Sequence, residues 1–556
     1  MAPYMGLRGG SLQFAISAAA GLCFFLFGYF QGDMGGMLTI PSFLRQFPRI
    51  DTLGNPGSLH VAQLQGVTMA TWNIGCFVSA ILTIWLGDVL GRKKTIFMGT
   101  CFLIIGEVVQ CTSFSYGQFV AGRFIAGFGN GFNTATVPAW QAECVKAHQR
   151  GTMLMVSAGA CIAAGLSFSY WITFAFAYLD PSSAAWRIPI AIEIFFALVA
   201  LVLIVFLPES PRWLVLGARV DEALTVLAAL NDSEPNDWDV QQEFMQIKDA
   251  VLEMSAGSAG LLFKQTEFRY LHRTLLAYIV QIFQQMSGIN FVTQYMALMF
   301  VTQTHYAGWL ARLLAACLGT AFFLASFVAV VGIDRFWGRR SLMMFGATGM
   351  CICMVLLTVM MYLNSRGPDI AATVFYFAFC IFFAIGWQGM AWLYQVEIVP
   401  LRVRGPANAL STSANWLLNF AVVFIAPIAL HNIGYKTYII FAAINFAIIP
   451  AVYFFYPETG YRSLEEIDVI FASASQCPRP YLAVVRSAET EPLWYGKRGQ
   501  AGLYGGADGA SYEKSDWHLR LAGMAAERTS ASSSDGLQAS SESAGDMTEA
   551  ERRNYI

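Results

Sequence analysis

The sequence predicts an all-α membrane protein: twelve transmembrane helices in two six-helix halves, a cytosolic helical linker and a disordered C-terminal tail. Composition is the first reason. Of 556 residues, 56% are hydrophobic and 13% charged, where soluble domains carry about 25% charged residues. The mean hydropathy of +0.51 agrees. The second reason is run length, because the apolar residues gather in stretches of about 20, the reach of a helix across a bilayer. The third is an internal repeat that divides the chain in two.

The apolar runs fall at 12–36, 64–86, 96–113, 118–139, 152–177, 188–207, 273–301, 309–332, 341–363, 371–396, 407–429 and 437–456. The first continues through Gly32 and Gly35 without a small-residue cleavage pattern, so it reads as a span and not as a removed signal. An even number of spans puts both termini on one side. The short loops 87–95, 143–151, 334–341 and 399–406 hold ten Lys/Arg, against six in the opposite loops, or seven with Arg123. The positive-inside rule then predicts cytosolic termini.

Residues 1–11 are a cytosolic N-terminus, 12–207 the first half, 208–272 a cytosolic linker with short helices, and 273–456 the second half. Residues 457–556 form a tail rich in Ser, Gly and Ala, with too little apolar surface to offset the entropy of ordering, and are expected to be largely disordered. Asn231-Asp232-Ser233 matches a glycosylation sequon but faces the cytosol on this topology, so it is expected to be unused.

Several function classes drop out. A net charge of −2 excludes a nucleic-acid binder that relies on a basic surface. Ten of the eleven cysteines lie in or beside apolar segments and no CxxC occurs, which favours buried thiols over a disulfide scaffold or a metal site. None of the six His clusters with acids or Cys inside a span, so an enzyme is not expected and no cofactor is implied.

The repeat is carried by three motif pairs. Gly91-Arg92-Lys93 returns as Gly338-Arg339-Arg340, 247 residues on. Glu143 with Arg150-Gly151 returns as Glu397 with Arg404-Gly405, at an offset of 254. Pro208-Glu209-Ser210 returns as Pro457-Glu458-Thr459, at 249. Each pair combines acids with Arg at a helix end, where charges can tie neighbouring helices when one side of the protein is closed. On this reading Asp88, Arg92, Glu143, Arg150, Glu209 and Arg212 serve the gate in one half. Asp334, Arg339, Arg340, Glu397, Arg404 and Glu458 serve it in the other. Basic residues that only enforce topology would not need the paired acids.

With these motifs the chain resembles the sugar porters of the major facilitator superfamily, most of all the fungal hexose-transporter branch. The matching stretches are Gly91-Arg92-Lys93-Lys94, Pro208-Glu209-Ser210-Pro211-Arg212-Trp213, Gln284-Gln285-Met286-Ser287-Gly288-Ile289-Asn290, Asp334-Arg335 with Gly338-Arg339-Arg340, and Pro457-Glu458-Thr459. The match runs over about residues 12–470. It implies the major facilitator fold and transport of a sugar by alternating access.

A polyol in a membrane needs neutral amides, which both donate to and accept from hydroxyls, and aromatic faces for its C–H surfaces. Span seven supplies Gln281, Gln284, Gln285 and Asn290 around Gly288. The resemblance places Gln284, Gln285 and Asn290 on the sugar hydroxyls, makes Trp392 the stacking tryptophan and matches Asn415-Trp416 to a polar–aromatic pair. Three positions depart from the family. Ala158 stands where a sugar-binding glutamine is usual, Leu318 where an asparagine is frequent, and Gln294 precedes Tyr295 where two aromatics are common. The loss of two amides, with added room at Ala158, keeps a hexose as the default ligand and makes a disaccharide or polyol credible.

Proton-coupled members often carry Asp in a Gly-Tyr-Asp pattern in span one. Here the stretch reads Gly28-Tyr29-Phe30-Gln31-Gly32-Asp33, so the carboxylate is displaced by three residues, about 60° round the helix and one turn outward. Asp33 is expected to replace it, with Arg123 as its partner by resemblance. The alternative leaves Asp33 solvated at the mouth of a uniporter. Glu107 and Glu193 also lie inside apolar runs and must face the bundle. The expected partners are a small-molecule sugar, a proton and the lipid bilayer, at the plasma membrane. A non-transporting sugar sensor is the alternative outside transport, and partners of the tail are unknown.

Overall fold

The computed structural model describes residues 3–493 except 146–149, 239, 242, 246, 249–258, 266–267, 334–336, 364, 401–402 and 463, and within these no strand occurs. Twelve long helices follow the predicted runs. In the first half they are α1 (Gly9–Met37), α2 (Leu59–Leu90), α3 (Arg92–Cys111), α4 (Tyr116–Cys144), α5 (Gly151–Leu179) and α6 (Ala184–Phe206). In the second half they are α7 (Tyr270–Thr302), α8 (Gly308–Gly332), α9 (Arg339–Leu363), α10 (Arg366–Ile398), α11 (Arg404–Ile433) and α12 (Lys436–Phe455).

Among the described residues, eleven helices are long and apolar enough to cross a membrane. The other one is α4, whose 29 residues include Arg123, Asn130 and Asn133, all buried. Its glycines show why such a polar helix is tolerated. A Cβ on Gly127 would stand 2.1 Å from the Trp72 carbonyl, and one on Gly129 would stand 2.3 Å from the Gly99 carbonyl. Helix α4 is therefore pressed between α2 and α3, where small residues let backbones approach.

The halves meet along α2 against α11, α5 against α8, and α1 against α7. Two helices at this interface carry a wide turn among the described residues. Helix α5 opens into a wide π-type turn at Met155–Cys161, and α10 does so at Ala384–Gln388. The two wide turns face each other, with a Cβ on Gly159 only 3.6 Å from the Gly389 Cα.

The linker contributes short helices at Pro211–Leu216 and Val220–Asn231. Residues 457–493, the start of the predicted tail, add helices Leu464–Ser475 and Pro480–Thr490. These bury Ile467, Phe471 and Val484 at the linker end of the bundle, where Arg340 pairs with Glu489 at 2.8 Å. Residues 494–556 lie outside the described part.

The repeated motifs have a common local cause. A helix start leaves its first backbone N–H groups without partners, and a carboxylate there satisfies them and favours the helix dipole. Glu209, just beyond α6, accepts from the backbone N–H of Arg92 and Lys93 at 3.1 Å each, and so caps α3. Glu458, just beyond α12, accepts from Arg339 at 2.8 Å and Arg340 at 3.1 Å, and caps α9. The offset between the two Pro-Glu motifs thus follows, to within two residues, the offset between two equivalent helix starts.

Candidate functional site

A cavity with about 380 Å³ of empty space lies between the halves, midway along the helices. The first half lines it with Phe27, Gln31, Ile162 and Leu166, the second with Gln284, Gln285, Ile289, Asn290, Thr293, Phe322, Phe383, Gln388, Trp392 and Asn415. All five residues expected at a substrate site (Gln284, Gln285, Asn290, Trp392 and Asn415) are therefore brought together.

Helix α7 is what concentrates them. It breaks at Gly288, which takes φ +95°, a conformation that costs glycine little. Gln284 and Gln285 then end one segment while Asn290 begins the next, and all three reach the cavity. The amides form one continuous chain. Gln31 Nε2 donates to Asn290 Oδ1 at 3.2 Å, Asn290 donates to Gln285, and Gln285 Nε2 donates to Gln284 Oε1 at 3.3 Å. Asn415 Nδ2 donates to Gln284 Oε1 at 3.0 Å and to Gln281 Oε1 at 2.6 Å, and Gln281 passes on to Gln395 at 3.0 Å. The wide turn in α10 leaves carbonyls outside the helix ladder, and Gln284 Nε2 donates to two of them, Trp387 and Gln388, at 3.0 Å each. Asn415 Oδ1 is buried with no hydrogen-bond partner among the described residues.

Ala158 and Leu318 are fully buried but stand back from the cavity, which α5 and α8 line with Ile162, Leu166 and Phe322. The added room expected at Ala158 is absent because bulky apolar side chains one turn along take that surface. Gln31, Thr293 and Gln388 are polar lining residues that the motif reading did not single out.

Away from the linker end the cavity is closed. Phe30 stacks on Trp72 at 4.4 Å, and Trp416 meets both Phe27 and Trp72 edge-on. Asn73 donates to Asn419 across the halves at 3.1 Å, and Gln294 donates to the same oxygen at 3.4 Å. Further out, Arg312 of α8 donates to the Thr39 carbonyl at 3.0 Å.

A second polar group lies inside the first half. Asp33 is 1% exposed in this conformation, and its carboxylate accepts from the Met34 backbone N–H. Phe30, at the position where the family carries its carboxylate, lies under the Arg123 guanidinium at 4.5 Å. Arg123 donates to the Met69 carbonyl at 3.3 Å and stands within electrostatic reach of Asp33, Glu107 and Glu193. Glu107 and Glu193 are both fully buried, as their place inside apolar runs requires, and Gln110 donates to Glu107 at 3.1 Å.

At the linker end, Arg92 pairs with Glu143 at 3.4 Å, and Ser210 donates to that same carboxylate. Arg339 grips Glu397 with two hydrogen bonds of 2.9 and 3.1 Å, and Thr459 donates to Glu397 at 2.7 Å. Both ion pairs join helices of the same half. Burial pushes the Glu209 carboxyl above its ordinary value, against the N–H groups of Ser210, Lys93 and Arg92 and the Arg92 charge, which pull it down. A cavity of about 540 Å³ separates the halves here, lined by Arg92, Glu143, Arg212 and Arg404 among others. The side chains of Asp88 and Arg150, and all of Asp334, lie outside the described residues.

Residues 14–471 match the family model described as "Sugar (and other) transporter". The chain is 36% identical to the sugar transporter STL1 of Saccharomyces cerevisiae over 85% of its own length and 83% of that protein's. It is 30% identical to the low-affinity glucose transporter HXT1 of the same yeast, over 81% and 80% of the two chains. Among solved structures, the proton:xylose symporter XylE bound to 6-bromo-6-deoxy-D-glucose superposes with a TM-score of 0.71 at 25% identity, covering 83% of this chain and 99% of that one. The partially occluded inward-open form of XylE from E. coli, at 24% identity and a TM-score of 0.68, shares the fold. The chain is a multi-pass membrane protein of the sugar porter family, with the major facilitator fold.

Proposed function

We propose that the chain carries a hexose together with a proton across the plasma membrane by alternating access, with both termini in the cytosol. The observation that carries this reading is the unbroken chain of neutral amides along a cavity enclosed between the two halves. Amides suit hydroxyls because each offers donors and an acceptor without a charge to desolvate. The unpartnered Asn415 Oδ1 is an acceptor available to a ligand hydroxyl, and Trp392 supplies an apolar face beside it. The names of the relatives, a glucose transporter and a proton:xylose symporter, support the same class.

In this mechanism Gln284, Gln285, Asn290 and Asn415 hold the ring, and Trp392 covers it. Asp33 exchanges a proton as the site opens to each side in turn, with Arg123 as the neighbouring cation whose influence changes between states. The gate residues Asp88, Arg92, Glu143, Arg150, Glu209 and Arg212, with Asp334, Arg339, Arg340, Glu397, Arg404 and Glu458, hold each half rigid at the cytosolic side while the halves rock about the cavity.

Purified protein in liposomes tests this, with labelled D-glucose and an imposed proton gradient. Accumulation above equilibrium that collapses with the gradient supports symport. Uptake that only equilibrates would make the protein a uniporter, and sugar binding without uptake would make it a sensor.

A further inference from the structure

The two halves do not share the ligand evenly. Of the cavity-lining side chains that the first half contributes, Gln31 is the polar one among the described residues, beside Phe27, Ile162 and Leu166. Ser157 on α5 does not line the cavity and accepts from Gln141 Nε2 at 2.8 Å. Gln31 is 9% exposed. Its Nε2 crosses the interface to Asn290 Oδ1 at 3.2 Å, and its Oε1 carries no hydrogen bond among the described residues.

We propose that Gln31 is the specificity-determining residue of the first half, gripping one ring hydroxyl and so deciding which position of the sugar must carry oxygen. This rests on reading the cavity as a hexose site. In this structure the Gln31–Asn290 bond joins the halves directly. A bound ring separates these two amides, and one hydroxyl takes over the bond, donating to Gln31 Oε1 or accepting from its Nε2. A ligand moves a two-state protein only through contacts that differ between the states, and a hydroxyl bridging the halves is such a contact. Removing that hydroxyl leaves a buried amide unpaired, the kind of mismatch that discriminates strongly between ligands. The second half, with its several amides, tolerates the loss of one partner better.

The test compares D-glucose with its monodeoxy derivatives, one carbon at a time, as competitors of labelled D-glucose uptake by the full chain in liposomes. Wild-type uptake comes first, since its absence would sink the hexose reading independently of Gln31. With uptake present, Gln31→Met is expected to raise KM for D-glucose by about tenfold and to erase the penalty at a single deoxy position, leaving the other penalties in place. A deoxy profile identical to wild type in Gln31→Met overturns the proposal. A structure of the wild-type protein with D-glucose bound provides the second reading, needing no variant. Gln31 within hydrogen-bond distance of one hydroxyl, with its bond to Asn290 broken, supports the assignment. An intact Gln31–Asn290 bond beside bound sugar overturns it.

Discussion

The two halves share a fold and differ in what they bury. The first half encloses Asp33, Glu107, Glu193 and Arg123, four ionisable groups within electrostatic reach of one another. The second half encloses Gln281, Gln284, Gln285, Asn290, Gln395 and Asn415, a run of neutral amides. At the linker end the halves are alike again, with Glu209 capping α3 as Glu458 caps α9. The duplication is preserved where it holds helix ends together and lost among the buried polar groups within the bundle. Neutral amides select a neutral polyol, whereas buried charges answer to proton concentration, so on the proposed reading most polar sugar contacts fall in the second half and the proton in the first.

Four substitutions probe that division, from the largest effect to the smallest. Gln284→Leu removes donors to the Trp387 and Gln388 carbonyls and the acceptor for Asn415. It is expected to lower the specificity of sugar uptake, kcat/KM, by about 100-fold, the equivalent of two unmet buried hydrogen bonds, while leaving any proton leak unchanged. A loss under about threefold would mean that the amide chain is structural. Glu458→Gln and Glu209→Gln test the symmetric end. Each weakens a charged helix cap and should cost about 1 kcal/mol, read as equal drops in melting temperature with KM unmoved. Unequal drops, or a change in KM confined to one variant, would break the equivalence of the two ends. Ala158→Ser should change KM by less than about twofold, because the Ala158 side chain stands back from the cavity. A larger change would return α5 to the substrate site.

Much of this architecture is legible in the chain itself, since apolar run length and the repeat locate all twelve helices. Helix α4 shows the limit of hydropathy, because its burial comes from glycine packing against α2 and α3 and not from apolarity. The motif offsets reveal the repeat but not its cause, since capping of α3 by Glu209 depends on a long-range contact. The cavity is only partly legible. Gln284, Gln285, Asn290, Trp392 and Asn415 belong to motifs and are met in the cavity, whereas Gln31 and Gln388 are single amides without a distinctive neighbourhood. Ala158 was misleading for a physical reason. A wide turn such as Met155–Cys161 inserts a residue, and one residue rotates everything beyond it by about 100° round the helix, which no spacing rule anticipates. Similarly, the replacement of the family's carboxylate by Phe30 is visible in the sequence. That its ring would take the carboxylate's place beneath Arg123 is not.

The central claim is that the second half supplies most of the polar contacts to the sugar while the first half carries the proton, with Asp33 as the proton site. It is tested most directly by measuring sugar flux and sugar-evoked proton flux together in liposomes holding wild-type protein or Asp33→Asn. Wild type should take up protons with labelled D-glucose. Asp33→Asn should still exchange labelled for unlabelled D-glucose, within about threefold of wild type, with no proton flux evoked by sugar. Sugar-evoked proton uptake that persists in Asp33→Asn would contradict the account.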